Sequence, residues 1–163
     1  MTDKLILEKI EHTAKIIINN PSANTWDLES LSELEKMIAA LNKDDDIFSL
    51  VITGQGKKFF SAGADLKVFH EGGKEAAKEM SNAFSNAFGA LSKFRGVSIA
   101  AINGFAMGGG LECALSCDIR VAEEKAVLAL PEPKVGLLPC GGGTQVLPRL
   151  VGEGWQQRSS ITG

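Results

Sequence analysis

The sequence has no apolar run long enough to span a membrane as a helix, and none near its start that would serve as a signal peptide. Its first ten residues, MTDKLILEKI, interrupt their apolar positions with charge. The expectation is therefore a cytoplasmic protein without a membrane partner. Neither sign of charge dominates: 17 Lys and Arg against 20 Asp and Glu leave a net charge of −3. That balance provides no basic footprint for nucleic acid. Histidine is scarce, and His12 and His70 lie in different parts of the chain. Cysteine is scarce too, and Cys113, Cys117 and Cys140 are an odd number, which argues for reduced thiols. Cys113 and Cys117 share a helix face, but a metal would need further ligands. Small buried thiols and no metal site are expected.

What is present is ordinary globular material, with 44% hydrophobic and 23% charged residues. A length of 163 residues suits one domain with a real core. No linker or low-complexity segment divides it. LILEKI and AKIIINN are β-rich runs around EHT, which predicts a hairpin. Thr25 or Asp27 is placed to cap a helix in which Leu28, Leu31, Leu34, Ile38 and Leu41 recur at helical spacing. IFSLVITG predicts a strand buried on both faces, and the acidic run 44–46 a solvated turn. A helix is expected over 73–94, with Ala77, Met80, Phe84, Phe88 and Leu91 on its core face. VSIAAI, DIRVAE and AVLAL complete the predicted strands, and a loop and short helix follow from residue 131. Strands alternating with helices define an α/β protein.

The glycines do not spell a nucleotide site. GFAMGGGLE lacks the dinucleotide spacing, and GQGKK has Lys58 where a phosphate loop needs Ser or Thr. Two buried strands nevertheless each end in a small-residue loop, SAGAD and AMGGG. Such loops either make tight turns or expose backbone N–H groups to a ligand. Facing each other, they would offer two donors to one oxygen. Glu112 follows the glycines after one intervening residue, and Glu132 lies between prolines in LPEPK. Glu112 either compensates a helix dipole, worth about 0.3–1 kcal/mol, or is a reactive group. Glu132 is either an exposed turn acid or its acid/base partner.

FFSAGADL, AAINGFAMGGGLECALSCDIRVA and LPEPKVGLLPCGGGTQVLPRLVG resemble, in order and spacing, the signature blocks of the crotonase (enoyl-CoA hydratase/isomerase) superfamily. NPSANTW resembles that family's N-terminal loop. The resemblance implies a ββα superhelix, with a spiral core over 1–152. Residues 153–163 would be a polar tail or the start of a helical region, because members continue into C-terminal helices that are missing here. It also implies an acyl-CoA thioester substrate, with coenzyme A entering as part of that substrate and no bound cofactor. The full-length assembly would be a homotrimer or a dimer of trimers. Ala64 and Gly109 correspond to the residues whose N–H groups hold the thioester oxygen, and Glu112 and Glu132 to the two hydratase acids. Ala62, Asp65, Leu66, Lys67, Gly108, Pro131, Cys140 and Gly141 complete the implied substrate-binding set. Lys58 or Lys67 would meet the coenzyme phosphates or remain solvated. Cys140 stands where many members have glycine, and its thiol would narrow the acyl pocket.

The implied activity is hydration of a 2-enoyl-CoA to a 3-hydroxyacyl-CoA, or the reverse. Isomerisation or another thioester-enolate reaction is the alternative within the family. From another class, the chain would be an impaired acyl-CoA-binding or scaffold fragment with exposed apolar surface.

Overall fold

The computed structural model describes residues 3–161, with the side chains at 68–72 and 161 outside that description, His70 among them. The hairpin pairs β1 (Leu5–Ile10) antiparallel with β2 (Thr13–Ile18), and Glu11 turns between them at a φ of 51°. α1 (Leu28–Leu41) starts at Asp27, not Thr25. The Asp27 carboxylate accepts from the Ser30 N–H at 2.9 Å, and the Ser30 hydroxyl accepts from the Asp27 N–H at 3.0 Å. This reciprocal cap satisfies first-turn donors that the helix itself cannot. Asp27→Ala is expected to cost about 1–2 kcal/mol, read as a lower denaturant midpoint at unchanged slope.

From α1 onward the chain repeats one course: a strand in a large sheet, a short strand in a small sheet, then a helix. The first turn is β3 (Ser49–Gly54), β4 (Phe59–Ser61) and α2 (Lys67–Leu91). The second is β5 (Val97–Ile102), β6 (Phe105–Met107) and α3 (Gly109–Leu115). The third is β7 (Ile119–Ala122), β8 (Leu128–Ala129), a 3-10 turn at Glu132–Val135 and α4 (Gly143–Val151). The large sheet runs β1-β2-β3-β5-β7, parallel from β2 onward, and the small parallel sheet runs β4-β6-β8. This is the ββα superhelix.

The core lies between the large sheet and the helices. Ile16, Leu50, Ile52 and Ala100 face Leu31, Leu34 and Ile38 of α1, and Met80, Phe84 and Phe88 of α2. Trp26 meets Phe88 edge-on at 5.7 Å. Cys113 and Cys117 sit in this core as free thiols, whereas Cys140 is exposed. β3 departs from the expected two-sided burial: its residues alternate buried and half-buried. α2 begins at Lys67 and breaks at Gly73, whose φ of 61° interrupts the helix. Residues 153–161, which show no apolar periodicity, form α5 (Glu153–Ile161). An apolar cavity of about 550 Å³ opens between Leu111, Leu115, Leu128, Leu147, Leu150 and Trp155, with Leu150 and Trp155 largely exposed.

Candidate active site

The small sheet explains why the two small-residue loops meet. β4 and β6 run side by side, so SAGAD leaves one strand next to where GGG leaves the other. The approach is close enough that a Cβ at Gly63 would stand 2.8 Å from the Met107 carbonyl oxygen and 3.1 Å from the Gly109 nitrogen. Gly63 also holds a φ of 90°, a backbone state that side chains disfavour.

The N-terminal loop fixes the first of these loops from behind. Ala62 N–H donates to Ala23 O, Trp26 N–H to Gly63 O, and Asp65 N–H to Trp26 O. In this parallel bridge between Trp26 and Ala64, the Ala64 N–H points away from its neighbour. It meets no backbone or side-chain acceptor among the described residues. The Gly109 N–H belongs to the first turn of α3 and is likewise left over.

Glu112 is the next residue of α3 to matter, and it is 2% exposed. Its Oε1 accepts from the N–H groups of Gly141 and Gly143, each at 2.8 Å. Gly143 begins α4, so the carboxylate is gripped by the loop and helix start of the next turn of the spiral. Oε2 meets no protein donor among the described residues. Burial raises this carboxyl above the ordinary glutamate value, and the two N–H donors partly offset the rise.

Glu132 comes from the third turn. β8 pairs with β6, and the chain leaves it through Leu130 and Pro131 into the 3-10 turn that Glu132 opens. Its carboxylate rests against Gly108, where a Cβ would stand 2.9 Å from Oε1. Oε2 is buried without a hydrogen-bond partner among the described residues. Burial, then the nearby charge of Glu112, pushes this carboxyl up to about 7. The two acids thus differ in support: one is held by two donors, while the other has a bare buried oxygen.

Both acids line one cavity of about 820 Å³. Ala62, Ala64, Asp65, Leu66, Gly108, Gly109, Pro131 and Cys140 line it with them. Of the other candidates, Gly141 acts from behind through Glu112. Lys67 stays outside, exposed, with its N–H on Asp65 Oδ1 at 3.1 Å. Lys58 also lies outside, with its amine over the Phe59 ring. Several lining residues escaped the sequence reading. Phe84 and Ala77 belong to the stripe read as core, and Ser81 sits beside them on α2. Thr25 lines the cavity instead of capping a helix. The grip of Gly143 on Glu112 gave no sequence signal, because a backbone donor leaves none in side-chain pattern. Among the described residues no cluster of His, Cys, Asp and Glu could hold a metal, and no helix is long and apolar enough to cross a membrane.

A family model described as Enoyl-CoA hydratase/isomerase matches residues 8–163. The crotonyl-CoA hydratase of Syntrophomonas wolfei is 40% identical over 161 residues, which take in 98% of this chain and 62% of that protein. The short-chain-enoyl-CoA hydratase of Clostridium acetobutylicum is 37% identical, with the same coverage. This chain therefore spans 62% of the length of these curated relatives. Among solved structures, Pseudomonas aeruginosa DspI is 64% identical at a TM-score of 0.96, covering 99% of this chain and 66% of that one. An enoyl-CoA hydratase from Bacillus anthracis is 35% identical at a TM-score of 0.94, covering 99% and 63%. The sequence blocks, the spiral of ββα turns and these matches agree: the chain belongs to the enoyl-CoA hydratase/isomerase family.

Proposed function

We propose that this site adds water to the double bond of a 2-enoyl-CoA, giving a 3-hydroxyacyl-CoA, and catalyses the reverse. The observation that carries the proposal is the pair of unequally supported carboxyls facing one cavity beside two unspent backbone N–H groups. In this reading the thioester oxygen accepts from Ala64 and Gly109. Glu112, ionised and oriented by Gly141 and Gly143, takes a proton from water through Oε2 as that water attacks the β-carbon. Electrons move through the conjugated system onto the thioester oxygen, and the two donors stabilise the resulting enolate. Glu132, protonated, gives its proton to the α-carbon. Two neighbouring acids with separated pKa values are what this sequence of transfers needs.

No bound cofactor takes part, and coenzyme A arrives with the substrate. Its adenosine end would lie along residues 62–67, with Lys58 or Lys67 near its phosphates. The names of the hydratase relatives support the substrate class. The family-type homotrimer, or dimer of trimers, is the assembly we infer for a chain of the family's full length.

The test is hydration of crotonyl-CoA, with product analysis for 2-enoyl- and 3-enoyl-CoA. Turnover of the 3-enoyl thioester alone would replace hydration by isomerisation, and coenzyme A binding without turnover would leave a binding protein. The pH profile is a second check. Hydration needs Glu112 ionised and Glu132 protonated, so kcat/KM should fall toward acid as Glu112 takes a proton. It should fall again above about pH 7 as Glu132 loses its own. The two limbs are apparent values of the coupled pair.

A further inference from the structure

The segment that grips Glu112 also carries a side chain into the cavity. Gly141 donates its N–H to Glu112, and the preceding residue, Cys140, lines the cavity near enough to feel the charge of both carboxylates. Ser81 of α2 lines the same space. Gly141 itself has no room for a side chain: a Cβ there would stand 2.7 Å from the Phe88 ring and 2.9 Å from Glu112 Oε2. Cys113 and Cys117 are core thiols, but Cys140 is exposed. Its presence therefore does not come from core packing.

We propose that Cys140 and Ser81 form the wall that selects the acyl chain beyond the β-carbon. The inference rests on the hydratase reading above. A thioester oxygen at Ala64 and Gly109, with the β-carbon within reach of Glu112, leads the rest of the chain onto whatever stands beside Glu112. Cys140, the residue before the Gly141 that grips Glu112, lines the cavity there, and Ser81 lines it too. The pair narrows the passage by little more than a methylene and an atom of sulfur, which is the scale on which apolar pockets discriminate. One methylene is worth about 10–200-fold in such a pocket. Burial, with both carboxylates nearby, raises the thiol above its ordinary value, so at neutral pH it adds bulk without a third charge.

The experiment compares kcat/KM for crotonyl-CoA and trans-2-octenoyl-CoA in the wild type, Cys140→Gly, Cys140→Ala, Cys140→Met and Ser81→Ala. Calorimetric binding of butyryl-CoA and octanoyl-CoA runs in parallel. The octenoyl-to-crotonyl ratio is expected to rise about tenfold in Cys140→Gly, less in Cys140→Ala and Ser81→Ala, and to fall in Cys140→Met. A ratio within twofold of wild type in all four variants would overturn the proposal. That includes the case in which both substrates slow together, which would mark Cys140 as a support for the Glu112 anchor only. The binding arm separates this inference from the hydratase reading. A wild type that binds without hydrating, and whose chain-length preference moves with Cys140, keeps the wall and loses the reaction. Hydration with an unmoved preference does the opposite, and a wild type that binds neither acyl-CoA overturns both.

Discussion

Glu132→Gln is expected to lower kcat for crotonyl-CoA hydration about 10²–10⁴-fold, the usual worth of a positioned acid or base. The amide keeps the shape of the carboxyl against Gly108 but has no proton of suitable acidity for the α-carbon. Glu112→Gln should fall in the same range for a different reason. Its amide can still accept from Gly141 and Gly143, but it cannot take a proton from water. In the proposed mechanism the two acids act in one step, so the double variant should be little slower than either single one. Wild-type hydration in either variant would sink the assignment.

A stability measurement guards the first variant against misreading. The Glu132 carboxyl titrates near 7 in the fold, above its ordinary 4.5. Between those values the folded state keeps a proton that the unfolded chain has released. Stability should therefore decline as pH rises from about 4.5 to 7. Glu132→Gln removes this group from the titration, so that part of the decline should flatten while activity is lost. Loss of activity together with an unfolded spectrum would instead mean that the variant failed to form the site.

Gly63→Ala is expected to cost about 10²–10³ in kcat, the effect of losing one oxyanion donor. The new methyl would meet the Met107 carbonyl oxygen at 2.8 Å and the Gly109 nitrogen at 3.1 Å. Both neighbours are backbone, so the two loops must part, and parting them separates the Ala64 and Gly109 donors. The positive φ adds strain of order 1–3 kcal/mol, visible as a lower melting temperature. Single-turnover rates at saturating substrate distinguish the outcomes. An unchanged chemical step would show that the two donors need not share one oxygen.

Much of this molecule was legible in its residues, because large amphipathic elements advertise themselves. The Leu28 to Leu41 spacing became α1, and the apolar runs became β1, β2, β3, β5 and β7. Of the small sheet only β8, within AVLAL, was legible. β4 and β6 are three residues each, too short to alternate and set within glycine-rich loops. Yet it is this sheet that brings the loops together. The candidate site was legible as residue types, through Glu112, Glu132 and the small-residue loops, but not as contacts. Gly141 and Gly143 act through backbone N–H groups, and Thr25 and Ser81 reach the cavity by tertiary placement. Asn24, buried at a φ of 54°, donates to the carbonyls of Gln55 and Phe59, a role no local pattern announced.

The winding of the chain also sets the order in which competence can arise. β3 and β5 of the large sheet are joined by contacts 48 residues apart in sequence, such as Thr53 Oγ1 to the Ala101 carbonyl. Each turn must close a long loop before its contacts repay the entropy lost, which slows folding. Ala64 belongs to the first turn, Gly109 and Glu112 to the second, and Glu132, Gly141 and Gly143 to the third. An intermediate with two turns docked would already hold the donors but would leave Glu112 ungripped and without its acid partner. On the proposed mechanism, binding of the thioester head would thus precede turnover during folding, with catalytic onset marking the arrival of the last turn.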